Sequence, residues 1–164
     1  MLRDLVGRLF GFDAEIGELR RRVEELSWDS SFGMWTREAF LQFCHVMPRA
    51  TRCVAFIDLN RIHDLNEQLG YSEVDRRVKE MFSVPFRRSD VVARWYSGDE
   101  IVILFDSDMA IAQQKMDELN RSAAEQDLTF YYEIGEWAIG KQTIECVVDE
   151  LTKKVLEHKG REPR

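Results

Sequence analysis

Between Asp90 and Phe105 the sequence reads DVVARWYSGDEIVILF, two apolar runs joined by a short polar segment. The runs are rich in Val and Ile and bounded by turn residues, the pattern of a β-hairpin whose strands are buried. Such a hairpin commits the chain to a sheet with other elements packed over it. Its apex carries two acids, Asp99 and Glu100, beside Gly98. Ser-Gly-Asp is ordinary turn chemistry, and the hairpin alone reads first as a solvated turn. A second acid changes the balance: RCVAFIDL (52–59) reads as a buried strand ending at Asp58, directly before a polar helix start. If strand and hairpin are neighbours, Asp58 and Asp99 share one sheet edge and repel unless a cation lies between them. Mg²⁺ suits that place, because it takes one or two carboxylates and completes its shell with phosphate oxygens.

The rest of the chain supplies the covering layers. TREAFLQFCHVM has helical periodicity from an N-cap at Thr36 and stops before Pro48. NRIHDLNEQLG predicts a short helix capped by Gly70, and SEVDRRVKEMFSV a second one capped by Ser72. After the hairpin come a long amphipathic helix (108–126), a strand (LTFYYEIGEWAIG) and a closing helix (TIECVVDELTKKVLEHK). The order predicts an α+β domain with a central, mostly antiparallel sheet flanked by helices. Residues 29–35 read as a loop. Ahead of them, Ile16, Leu19, Val23 and Leu26 form an a/d stripe behind an N-cap at Asp13. The chain therefore divides into a lead helix (1–28) and a domain (29–164). The lead helix either pairs with a second copy as a short coiled coil or folds onto its own domain.

Composition excludes several classes. The 164 residues carry a net charge of −7, against a nucleic-acid coat, and 45% are hydrophobic, against disorder. No apolar run approaches the roughly 18 residues of a membrane span. Cys44, Cys53 and Cys146 form no CxxC and sit among apolar residues, which reads as buried reduced thiols in a cytoplasmic protein. His45, His63 and His158 have no metal-ligand spacing.

Several fragments, in order, resemble the GGDEF domain of diguanylate cyclases. DSSFGMWTREAF is similar to the family's opening motif DxLTGLxNRxxF. FIDLNRIHDLNEQLGYSEVD is similar to DxDxFKxxNDxxGHxxGD, and RRSDVVARWYSGDEIVIL to RxxD…RxGGDEF. EIGEWAIG falls where the family's SxG strand falls, and VVDELTKKVLEHKGR resembles the closing ADxALYxAKxxGR. The resemblance implies a palm-like fold of the nucleotide-cyclase type and condensation of two GTP into cyclic di-GMP by two facing domains. It implies that Asp58, Asp99 and the Leu59 carbonyl hold Mg²⁺ (or Mn²⁺), with Glu100 assisting deprotonation of the attacking hydroxyl. Asn66 and Asp75 would read guanine. The backbone amides of Asn60, Arg61, Ile62 and His63, together with Arg161, would hold phosphates. Arg87 and Asp90 match the RxxD of an inhibitory product site, or else an exposed basic loop with a turn Asp.

The departures are specific. Ser97 and Ile101 replace the first Gly and last Phe of the signature, and one additional residue after Arg94 predicts a bulge at Trp95–Tyr96. Ile62-His63 replace Phe-Lys. The closing motif's lysine falls on Glu157, or on Leu156 in the neighbouring register, with Lys153 and Lys154 one turn earlier. These losses keep open a degenerate domain that binds GTP or cyclic di-GMP and signals by protein contact, and a related cyclase with a mixed or adenine-containing product.

Overall fold

A computed structural model describes residues 17–19, 21–23, 26–96 and 98–160. The predicted cap Asp13, the first stripe residue Ile16, the signature residue Ser97 and the phosphate candidate Arg161 lie outside the described residues. The elements run β1 (Trp28–Asp29), β2 (Met34–Trp35), α1 (Arg37–His45), β3 (Thr51–Leu59), α2 (Ile62–Leu69), α3 (Tyr71–Met81), β4 (Val91–Arg94), β5 (Glu100–Phe105), α4 (Met109–Glu125), β6 (Phe130–Ala138) and α5 (Ile144–Lys159). The six strands form one sheet in the order β1-β2-β4-β5-β3-β6. Every pairing is antiparallel except β2 with β4, where Trp35 sits beside Ala93. The predicted α+β class with a mostly antiparallel sheet and covering helices is what the chain adopts.

Alternation along the central strands sorts the core into two layers. Ala55, Ile57 and Leu59 of β3 and Ile101, Ile103 and Phe105 of β5 face α3 and α4, meeting Val74, Val78, Met116 and Leu119. Val54 and Phe56, with Val102 and Leu104, face α1 and α5, meeting Phe40, Val148, Leu151 and Val155. Each such side chain, fully buried, contributes about 1.5–3 kcal/mol. Continuous apolar runs rather than half-polar ones follow from helices lying on both faces. Asp58 and Glu100 have even numbers, so alternation places both on the α1/α5 face.

The structure corrects the sequence reading in several places. Residues 29–35 are not all loop: Trp28 pairs with Trp35 and Asp29 with Met34, a two-residue ladder across the Gly33 turn. Ser72 lies inside α3, and Gly70 (φ 82°) closes α2 and opens α3 at once. No bulge interrupts β4: Arg94 pairs with Ile101, and the Trp95 amide donates to the Glu100 carbonyl at 2.8 Å in the same register. The additional residue is absorbed in the hairpin loop, while the Trp95 side chain turns into the core at 1% exposure. Cys44 and Cys53 are buried, and burial pushes the Cys44 thiol up to about 12. Cys146 is exposed in the first turn of α5. Residues 17–19, 21–23, 26 and 27 are helical, and Leu19, Val23 and Leu26 of the predicted stripe stand 54%, 61% and 76% exposed. Among the described residues no helix is long and apolar enough to cross a membrane.

Candidate functional site

The site forms where β3 runs out into α2 and the hairpin turns back. Asp58 pairs with Glu100 across the β3–β5 ladder and with Tyr131 across β3–β6. Directly opposed residues on an antiparallel pair bring their Cβ atoms to about 4.5–5.5 Å, so the two carboxyl groups share one patch. The ladder continues one step past the strand, because the Leu59 amide donates to the Asp99 carbonyl at 3.0 Å. That bond ties the hairpin apex to the end of β3 and fixes where Asp99 stands. Asp58 is only 9% exposed. Burial raises its carboxyl above the ordinary range; Lys159 opposes the rise and Asp99 adds to it. Glu100 is raised as well, by burial first and then by Asp99 and Asp58. Three acids therefore sense one another at one end of the sheet.

Two basic residues organise this patch, and neither role follows from the motifs. Arg94 splints the hairpin: its guanidinium donates to the Gly98 carbonyl at 3.1 and 2.9 Å and to Asp29 at 2.9 Å. It also lies 4.1 Å from the Phe32 ring centroid. Burial works against the Asp29 carboxylate, but the Phe32 amide and Arg94 hold it below its usual range. Lys159, the last residue of α5, places its ammonium against Asp58 Oδ1. It was missed because the motif comparison directed attention to Glu157. Helical spacing could have found it: Val148, Leu151, Val155 and Lys159 follow one another at 3-4-4, and the first three are buried against the sheet. Glu157, Lys153 and Lys154 are exposed.

On the other side of the hairpin apex, Asp99 lines a cavity of about 260 Å³ with Asn66, Asp75, Ile62, Phe32 and Tyr71. A cavity of that size suits a single base rather than a whole nucleotide. Asn66 is one of its lining residues, and the Asn66 Oδ1 atom is buried without a hydrogen-bond partner. An amide oxygen accepts from N–H groups, and guanine offers such donors at N1 and N2. Asn66 and Asp75, the pair that the resemblance assigns to one ligand edge, line the same cavity.

The phosphate candidates separate. The Asn60 amide already donates to the Thr129 carbonyl at 2.8 Å, so the prediction that it holds phosphate is corrected. Arg61 adopts a left-handed conformation (φ 54°) that turns the chain into α2, and its guanidinium is taken by Asp64 at 3.0 Å. The amides that open α2, at Ile62 and His63, have no carbonyl one turn back within the helix. The His63 side chain is exposed and meets Glu67 at 3.3 Å.

Arg87 and Asp90 do meet, through the backbone. Asp90 accepts the Arg87 amide and the Asp106 amide, each at 3.0 Å, and the Arg87 guanidinium donates to the Asp106 carbonyl at 3.2 Å. Burial raises the Asp90 carboxyl while the Arg87 amide opposes the rise. Asp90 is thus a brace for the entry to β4, and Arg87 is the exposed member of the pair.

Among the described residues no group of three or more His, Cys, Asp or Glu side chains is placed to hold a metal ion unaided. The donor chemistry nevertheless fits Mg²⁺, which needs only one or two carboxylates when phosphate oxygens complete its shell. Asp58 and Asp99 are hard oxygen donors whose mutual repulsion a cation relieves.

The family model described as "Diguanylate cyclase, GGDEF domain" matches residues 36–155. The fold is similar to that of the coiled coil and GGDEF domain of DgcB from Caulobacter crescentus, in complex with c-di-GMP, with a TM-score of 0.72 at 18% identity over 94% of each chain. It is also similar to diguanylate cyclase SiaD from Pseudomonas aeruginosa, in complex with its activator SiaC, with a TM-score of 0.70 at 18% identity over 96% of this chain and 68% of that one. The GGDEF domain of PA1120 (TpbB or YfiN) from Pseudomonas aeruginosa gives 0.64 at 20% identity over 82% of this chain and 90% of that one. Comparison with curated proteins gave no match.

Proposed function

The chain belongs to the GGDEF family of diguanylate cyclase domains, and from that premise we propose that it condenses two GTP into cyclic di-GMP, one GTP on each of two facing copies. The observation that carries the proposal is the placement of Asp58 opposite Glu100, with Asp99 locked beside them and next to the cavity of Asn66 and Asp75. Asn66 and Asp75 bind the guanine edge. The Arg61, Ile62 and His63 amides, at the positive end of α2, hold phosphate oxygens, and Arg161, outside the described residues, makes a further phosphate contact. Asp58, Asp99 and the Leu59 carbonyl hold Mg²⁺ or Mn²⁺, which when bound neutralises phosphate charge. Glu100, across the ladder from Asp58, accepts the proton of the 3′-hydroxyl. The 3′-oxygen of one GTP then bonds to the α-phosphorus of the other, the bond to the β-phosphate breaks, and pyrophosphate leaves. A second, mirrored transfer closes the ring. Exposed Leu19, Val23 and Leu26 offer a stripe on which two copies can pair and bring their half-sites face to face.

A second reading, recognition of GTP or cyclic di-GMP without turnover, is favoured by one observation: the Asp58 carboxylate is already engaged by Lys159. The experiment that separates them is incubation of concentrated protein with GTP and Mg²⁺ or Mn²⁺, and identification of products by mass. Cyclic di-GMP from the wild type, lost in Asp58→Ala and Asp99→Ala, is the expected result. Nucleotide binding without product selects recognition, and full activity in either variant removes the proposed metal site.

A further inference from the structure

We propose that Lys159 is a resident counter-ion that a divalent cation must displace from Asp58, and that the displaced ammonium then serves the incoming polyphosphate, so that cation and nucleotide bind as a coupled pair. The inference rests on the reading of Asp58 as a metal ligand. Lys159 Nζ is paired with Asp58 Oδ1, and its positive charge opposes a divalent cation at the same carboxylate. The surroundings give the ammonium reason to be there. Glu100 stands across the ladder, Asp99 is locked to Leu59, and Tyr131 presents its ring 5.8 Å from Lys159 Nζ. A buried carboxylate with two like charges beside it needs a positive partner.

Lys159 is also built to leave. Its side chain is 31% exposed, so the ammonium has a path to water. It stands in the last turn of α5, where a cation is favoured by the helix dipole whether or not Asp58 holds it. Val148, Leu151 and Val155 anchor the helix, so only the four-carbon stem has to move. A polyphosphate brought with the cation supplies the freed ammonium with new counter-charge at the same end of the sheet. Metal alone must break the Lys159–Asp58 pair without replacement; metal with nucleotide replaces it. Coupling of this kind is reciprocal, so nucleotide strengthens metal binding by the factor by which metal strengthens nucleotide binding.

The test is Mn²⁺ titration of the whole chain, followed by electron paramagnetic resonance, with and without a non-hydrolysable GTP analogue. Wild type, Lys159→Met, Lys159→Arg and Asp58→Asn are compared, with thermal melts to verify folding. Lys159→Met is expected to bind Mn²⁺ alone about tenfold more tightly, the size of effect a neighbouring charge has on a carboxylate's affinity for a proton. The analogue should then improve Mn²⁺ affinity less than in the wild type, and Lys159→Arg should restore weak binding of metal alone. If Lys159→Met leaves Mn²⁺ affinity unchanged or weaker while Asp58→Asn abolishes it, the counter-ion proposal is overturned and the metal reading survives. Wild-type Mn²⁺ affinity in Asp58→Asn overturns both. Should Lys159→Met melt early, Mn²⁺ is expected to raise its melting temperature more than the wild type's; an equal rise counts against the proposal.

Discussion

Gly98 offers a perturbation that separates the site from the fold. It is not one of the positive-φ glycines, which are Gly33, Gly70 and Gly140, so alanine suits its backbone. What Gly98 provides is space: an added Cβ would stand 2.8 Å from Glu100 Oε2, where ordinary contact begins at 3.4 Å. The carboxylate must therefore retreat by about 0.6 Å, the difference between those distances. Because the atom that yields is the far end of a flexible side chain, the fold should barely respond. Gly→Ala at a compatible φ stabilises by about 0.4–1 kcal/mol through the unfolded state. For a chain of this length that amounts to a melting temperature unchanged or raised by up to about 4 °C. The chemistry is less tolerant, since a misplacement approaching 1 Å reduces rate by about a hundredfold. Gly98→Ala is accordingly expected to melt like the wild type and to form cyclic di-GMP about ten- to a hundredfold more slowly. Product formation by mass and a thermal melt are the two assays. Undiminished turnover with an unchanged melt would refute the role given to Glu100's position. A melting temperature lowered by more than about 5 °C would show that Gly98 serves backbone conformation instead.

Asn66→Ala removes a buried oxygen that has no partner, so stability should hold or rise slightly. Its affinity for GTP should fall about tenfold, the worth of one well-made hydrogen bond, with little change toward ATP; calorimetry with both nucleotides checks this, and equal affinity in mutant and wild type would remove Asn66 from the base pocket. Arg87→Ala and Asp90→Ala should part company. Arg87→Ala leaves the melting temperature within the range of surface substitutions and relieves inhibition by added cyclic di-GMP. Asp90→Ala strands the part-buried Asp106 amide, costs about 1–3 kcal/mol and lowers the melt. Unchanged product inhibition in Arg87→Ala would leave that arginine a surface residue.

Much of the architecture was legible because it is written in periodicity. Thr51–Leu59 and Glu100–Phe105 are apolar runs rich in Val, Ile and Phe, and α1 carries a usable cap at Thr36. What was misread was short or relational. The ladder of Trp28–Asp29 with Met34–Trp35 has two residues on each side, too few for alternation to register. Its reason lies elsewhere in the chain, in Arg94 reaching back to Asp29. Asn60 resembled a phosphate amide until Thr129, distant in sequence, took its hydrogen. Cys146 has apolar neighbours in sequence but sits on the outer face of α5. Lys159 differs from these, since the stripe that places it was readable and a motif register overrode it.

The acids at the hairpin apex also explain why the surrounding strands are so apolar. A carboxylate in a mobile turn would swing into water and lose its charged neighbours. Here Asp58 is held between β5 and β6, and Asp99 is fastened by its own carbonyl to the Leu59 amide. Arg94 closes the loop from the opposite side through Gly98. The backbone bonds hold the three acids at one end of the sheet, where burial and like charge raise Asp58 and Glu100 together. The unfavourable charge density is kept by the fold and countered by the chain's own Lys159; under the proposed function a cation that arrives with a nucleotide takes its place. A solvated turn would need none of this bracing. The rigidity around the acids, more than the acids themselves, distinguishes a binding site from a decorative loop.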